Sequence, residues 1–460
     1  MTGTASALLK APRELSIILA CEFADSFSTF ALDYVFVLFL SSIFSFSDQL
    51  AGWLYGMYGL MVLVYGVVLG PLIDNIGVKW ALVVGSIFAT VGRLSMVFVS
   101  EAALLLVVLW TVLPMGVAMT SNVLKLGIRR YTTKANRSPA FDCSYFTINC
   151  AALSSAVLLT GTRACASQYG PYYRLYLLLA FSCCLIQFIL ACCLREIVVR
   201  EGTHDVRDFC IEASHPAEII KGVCKSPNFW KFVGISLLIC TGVGTCLRHF
   251  GSTFPKTFTR VNGPNAPFEL VLSINPLLIM SMMPLVSLSR LNHYMPTYEL
   301  LVLGSAISAL SMFVMGVSSS IAAAVISIAL FTVGEMIWAP RFLEMSVMVG
   351  EEGREGTVIA LTGFPKFISR LLAGGSSGYL LQRYCPQQGI CQSGGMVWSL
   401  IGLLAVTTPV ALLTLRKSLD TNSRTPCDTE TAQVLLKRQA APSGQDDLPS
   451  RNVKLSSDST

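Results

Sequence analysis

The chain is 460 residues long, 53% hydrophobic and only 13% charged, where a water-soluble domain carries about 25% charge. So few charges cannot coat a soluble protein of this length, and its apolar surface must face lipid. The formal net charge of +6 is too small to indicate a nucleic-acid partner, and it gathers in short segments between apolar runs, where basic residues report topology.

The opening stretch from Met1 to Glu14 is small and polar, and the apolar run after it is too long for the core of a cleaved signal peptide. A membrane span needs about 20 mostly apolar residues. Such runs fall near 15–44, 50–72, 79–99, 102–125, 140–161 and 172–194, and again near 229–254, 268–289, 297–317, 320–349, 357–382 and 395–415. Between the two sets lies a charged stretch from Arg195 to Lys225. The pattern predicts an all-α membrane protein of about twelve transmembrane helices in two six-helix bundles. The expected organisation is an amino-terminal stretch at 1–14, a bundle at 15–194, a linker at 195–228, a second bundle at 229–415 and a disordered tail at 416–460.

Orientation follows from charge. The segment between the fourth and fifth runs carries Arg129, Arg130, Lys134 and Arg137, which places it in the cytosol. An even number of spans then puts both termini and the linker there too. The Asn136-Arg137-Ser138 sequon falls on the same side and reads as chance. Most of the fifteen cysteines lie inside apolar runs, where a thiol behaves as a small hydrophobe. Cys385 and Cys391 differ, because they bracket a short polar loop on the opposite side, where a disulfide between them is feasible.

The halves also show a faint repeat. Pro71-Leu72-Ile73 and then Leu82 to Ser86 are echoed by Pro284-Leu285-Val286 and then Leu301 to Ser305, as parallel repeats about an axis along the membrane normal would give.

Charges inside the runs are few and therefore informative. Glu22, Asp25 and Asp33 share one face of the first helix, with Thr29, within an arc of about 80°. A mid-bilayer carboxylate costs at least about 2.5–3.5 kcal/mol, so this face must turn to a cavity or a partner. Glu22 and Asp25 are the candidates for proton coupling; a stripe of interhelical ion pairs is the alternative. Arg248 in the seventh run is the leading anion-binding cation, and a brace near the outer end is the other reading. Asn149 in the fifth run is a candidate hydrogen-bond donor to substrate. Lys366 and Arg370 lie four residues apart on one face of the eleventh.

The loop after the second run reads Gly70-Pro-Leu-Ile-Asp74-Asn-Ile-Gly77-Val-Lys79. It resembles the signature loop of the major facilitator superfamily, whose glycines permit a tight turn and close helix approach. Four further stretches resemble the proton-coupled oligopeptide transporter branch: Glu22 to Ser28, Ser121-Asn122 with Leu124, Ala140 to Ala151, and Gly334-Glu335 to Pro340. The resemblance implies that Glu335 contacts substrate. It fails where the branch holds a peptide carboxylate: Ser26 stands for its first-helix Arg and Thr120 for its fourth-helix Lys, with Lys125 displaced. Arg93, Arg248, Lys366 and Arg370 are the cations available instead.

An enzyme is not expected. The four histidines, at 204, 215, 249 and 293, make no metal-binding spacing, and no phosphate loop suggests ATP drive. The expectation is a monomeric secondary active transporter, without a cofactor, that moves a small polar or charged solute by alternating access with protons as the coupling ion. A proton-independent uniporter and a transporter-like scaffold or sensor remain the alternatives.

Overall fold

The structure is a computed structural model that describes residues 12–166, 172–199, 206–208, 227–288, 295–348, 355–387, 391 and 394–419. The amino-terminal stretch before Pro12, most of the linker and the tail beyond Leu419 lie outside the described residues.

Helices stand at every place the apolar runs predict. In the first half α1 is Arg13–Ile43, α2 Asp48–Gly70, α3 Asn75–Phe98, α4 Ala102–Arg130, α5 Lys134–Ala166 and α6 Tyr172–Cys192. In the second half α7 runs in three stretches, Pro227–Thr241, Val243–Ser252 and Phe254–Asn262, and α8 in two, Phe268–Leu272 and Ile274–Leu288. They are followed by α9 at Thr297–Val317, α10 at Ile321–Met348, α11 at Glu355–Tyr384 and α12 at Gly394–Thr414. Among the described residues nine helices are long and apolar enough to cross a membrane, and ten if the bent α7 counts as one span. The chain is thus a multi-pass membrane protein. The linker adds one element that composition did not predict, an antiparallel pairing of β1 (Ile197–Val199) with β2 (Val206–Asp208).

Local chemistry sets the ends. Ser47 caps α2, its Oγ accepting from Leu50 N at 3.2 Å, in the usual manner of an N-cap serine. Near the start of α3 the chain kinks at Gly77, whose φ of +82° suits a residue without a Cβ.

Alternate helices run in opposite directions. One face of the molecule, the near end, carries the start of α1 and the α2–α3 and α4–α5 turns; the far end carries the α1–α2, α7–α8 and α11–α12 connections. Within the first half α1 packs on α5 and α6, and α3 on α4; within the second, α9 packs on α10 and α12. Close approach at equivalent places is allowed by Gly85 and Gly116 between α3 and α4, and by Gly304 and Gly334 between α9 and α10. The halves meet along α1–α7, α2–α11 and α5–α8. The α2–α11 seam is the tightest: a Cβ at Gly374 would strike the backbone of Gly52 and Gly56. Val68, Trp80, Phe98, Leu310 and Leu403 point outward and exposed, as lipid-facing side chains do.

Candidate functional site

The charges of α1 divide into two groups by their partners. Asp33 is buried and meets two arginines from the other half. Arg370 Nη2 of α11 reaches Oδ1 at 2.9 Å and Oδ2 at 2.6 Å, and Arg248 Nη1 of α7 stands 3.7 Å from Oδ2. The Arg370 guanidinium also lies 5.1 Å from the Tyr55 ring centre and 5.6 Å from that of Tyr58, within cation–π range. Such a pair holds because both charges are neutralised where lipid and protein exclude water. Arg370, a substrate-binding candidate by sequence, is therefore committed to Asp33, whereas Arg248 keeps 30% of its side chain exposed.

Glu22 and Asp25 lie nearer the near end and face their own half. Gln187 Nε2 of α6 donates to Asp25 Oδ1 at 3.3 Å. Thr120 and Lys125 of α4 also face Asp25, and Lys125 is within electrostatic reach of both acids. Ser144 of α5 faces Glu22. Neither acid has an ion-pair contact within 4.0 Å among the described residues.

Across the centre, Glu335 of α10 is buried and its Oε2 accepts from Asn275 Nδ2 of α8 at 2.7 Å. Arg248 and Tyr145 of α5 lie within its field. Asn149, one turn from Tyr145, spends an amide hydrogen on its own helix, Nδ2 donating to Tyr145 O at 2.8 Å. His249 is buried with both ring nitrogens engaged, Nδ1 with Thr253 Oγ1 at 2.7 Å and Nε2 with Ser376 Oγ at 3.3 Å. It serves packing.

Further pairs join the halves at the far end. Asp48, at the start of α2, takes Lys256 Nζ at 2.7 Å and Arg260 Nη2 at 2.8 Å from α7. Arg163 of α5 donates to both oxygens of Glu269 of α8, 2.8 Å to Oε1, and stacks between Tyr172 and Phe268. Arg260 also donates to the carbonyl of Cys385 at 2.6 Å, and Cys385 is bonded to Cys391 in a disulfide. Sequence reasoning missed Asp48, Arg260, Arg163 and Glu269. Each sits near a helix end, where a lone charge looks like a solvated one.

At the near end, Gly70 closes α2 and the side chain of Asp74 lies outside the described residues, as does that of Lys366. Gly77 turns the chain into α3, whose first free amides are capped from afar: Glu196 Oε1 accepts from Val78 N at 2.8 Å and Oε2 from Lys79 N at 2.7 Å. A carboxylate there also meets the positive end of the helix dipole. A Cβ at Gly77 would stand 2.7 Å from the Glu196 carboxyl, so this position needs glycine for space as well as for its φ. Arg130 approaches Glu196 at 3.8 Å. The Tyr131 hydroxyl donates to Arg195 O at 3.2 Å; burial first, then the Glu196 charge, pushes its pKa up and keeps it a donor. Glu196 was invisible in sequence because it acts across 118 residues.

The chain matches the family model of the Major Facilitator Superfamily over residues 18–374. No curated protein matches it in sequence. Its fold is similar to that of a POT family transporter in complex with 5-aminolevulinic acid, at 14% identity, with 89% of this chain and 97% of that chain covered and a TM-score of 0.68. It is also similar to a peptide transporter POT in complex with sulfate, at 18% identity, 89% and 95% covered, TM-score 0.67. A third is a bacterial homologue of the human drug peptide transporters PepT1 and PepT2, at 15% identity, 88% and 98% covered, TM-score 0.67.

Proposed function

We propose that this chain, which belongs to the major facilitator superfamily and is a membrane transporter rather than an enzyme, moves a small zwitterionic or anionic solute by alternating access, driven by protons. The observation that carries this reading is the division of the α1 acids. Asp33 clasps the other half of the molecule, while Glu22, buried, and Asp25, half-buried, have no cation in contact distance among the described residues. Acids of the second kind can take up and release a proton without breaking the fold; an acid of the first kind cannot.

In this reading the bundles are residues 15–194 and 229–415, with both termini cytosolic. The far end is then the outer face, closed in this conformer by Asp33 with Arg370, Asp48 with Lys256 and Arg260, and Arg163 with Glu269. The substrate sits between the halves, its anionic group on Arg248 and its amino group on Glu335, where Asn275 holds the carboxyl in place. Asn149 is a lesser contact, since its own helix uses its amide. Lys79 and the Gly70–Gly77 turn belong to the near-end gate.

The neighbours whose structures contain 5-aminolevulinic acid and sulfate suggest the probes. Ligand binding to the folded state raises the melting temperature in proportion to the logarithm of ligand excess. Purified protein should be stabilised by 5-aminolevulinic acid or a dipeptide, and Arg248→Ala should abolish the shift. Stabilisation by neutral sugars alone would overturn the charge assignment.

A further inference from the structure

The interior of the first half holds more polar atoms than its protein partners satisfy. Among the described residues, Glu22 Oε2, Ser86 Oγ, Thr90 Oγ1, Arg93 Nη1 and Gln187 Oε1 are buried and have no hydrogen-bond partner. All five belong to α1, α3 and α6. Arg93 is 1% exposed, Gln187 and Ser86 not at all, and Glu22 4%.

They also lie at matching heights. Arg93 Nε donates to Ser28 Oγ at 2.8 Å and Nη2 to Ser28 O at 2.9 Å, which fixes the register of the parallel helices α1 and α3. One turn towards the near end, the same offset sets Thr90 level with Asp25, and a further turn sets Ser86 level with Cys21 and Glu22. Ser86, Thr90 and Arg93 share one face of α3 within about 60°. On α6, which runs the other way, Cys184 contacts Ser28 at 3.0 Å and Gln187 contacts Asp25 at 3.3 Å.

An unsatisfied buried polar group costs about 1–3 kcal/mol, so five of them clustered within about two helical turns call for a partner. Their chemistry is complementary. Arg93 offers a donor, Glu22 and Gln187 offer acceptors, and the two hydroxyls can serve as either. Buried water typically makes about three hydrogen bonds to such groups. A sodium ion suits the site poorly, because the Lys125 charge faces both acids and the Arg93 charge faces Asp25.

We propose that Ser86, Thr90 and Arg93 of α3, Glu22 of α1 and Gln187 of α6 hold a short file of bound water, and that this file carries the coupled proton to and from Glu22 and Asp25. Only the second half of this proposal rests on the proton-coupled reading. Each transfer breaks one O–H bond and forms another, so charge passes along the file and ends as a carboxyl O–H. The fixed positive charge of Arg93 stands at the far-end limit of the file and repels an arriving proton, as arginines do in water-selective pores. Exchange is thereby confined to the near-end side of Arg93. The other groups facing the acids and Arg93 are Lys125 and Thr120 of α4, Ser144 of α5, Cys184 of α6 and Tyr58 of α2.

An experimental density map of the full chain that resolves water decides the first half. Ordered water bonded to Arg93 Nη1 and to Glu22 Oε2 or Gln187 Oε1 is expected; these groups packed directly on one another would overturn the site. The second half is read in proteoliposomes with 5-aminolevulinic acid as probe. The double variant Ser86→Ala/Thr90→Val should lower proton-driven uptake about a hundredfold and leave exchange at equal pH intact, while Ser86→Thr/Thr90→Ser keeps both. Equal loss of uptake and exchange, or no loss, would show a structural role and overturn the relay. Wild-type uptake indifferent to the pH gradient would remove the coupling reading and the relay with it, leaving the water site to the density.

Discussion

Arg370 reaches both carboxylate oxygens of Asp33, at 2.9 and 2.6 Å, across 337 residues of chain and between helices of opposite halves. Because both groups are buried, removing one leaves the other as an uncompensated charge. Asp33→Asn should cost about 3–5 kcal/mol of stability, and Arg370→Met should cost a similar amount. The double variant should recover most of that loss. Thermal unfolding of the four proteins in detergent checks this as a double-mutant cycle; additive single effects would mean that the two charges do not depend on each other.

The start of α3 offers a second test. Gly77→Ala forces a side chain into a left-handed backbone, at about 1–2 kcal/mol, and pushes it into the Glu196 carboxyl. Glu196→Ala removes only the cap, at about 0.5–2 kcal/mol. A larger drop in melting temperature is therefore expected for Gly77→Ala than for Glu196→Ala. The reverse order would mean that Glu196 acts mainly through Arg130.

In the proposed mechanism the far end is the outer face, and its closure depends on the backbone contact of α2 with α11. Gly374→Leu has no room against Gly52 and Gly56, so the variant should be held open at that end. A cysteine placed at Tyr58, beneath the seam, should then react faster with an impermeant thiol reagent added from outside than in the Gly374 background. Unchanged labelling would remove the seam from the gate.

The sequence spoke most clearly where the bilayer dictates composition. Runs of about 20 apolar residues have no other use in a chain this poor in charge, and helices occupy all of those places. The Gly70–Lys79 loop was legible because its glycines mark a turn whatever they contact. Partners were not legible. Asp33 and Arg370 were each noticed as buried charges, but nothing local joins residues on α1 and α11. Glu196 and Asp48 looked like ordinary loop acids, and only the fold brings one to the amides of Val78 and Lys79 and the other to Lys256 and Arg260. A polar side chain inside a span also gives no local sign of its partners: Asn149 spends an amide hydrogen on Tyr145 O of its own helix, and His249 meets Thr253 and Ser376.

The central claim is that Glu22 and Asp25 couple solute movement to protons, and one measurement addresses it most directly. Proteoliposomes containing wild-type, Glu22→Gln or Asp25→Asn protein are loaded at higher internal pH, and accumulation of 5-aminolevulinic acid and of a dipeptide is followed with and without the gradient. Concentrative uptake that requires the gradient in wild type is predicted, with both variants losing accumulation but retaining exchange at equal pH. Uptake by the wild type at the same rate and to the same level with and without the gradient would contradict the claim.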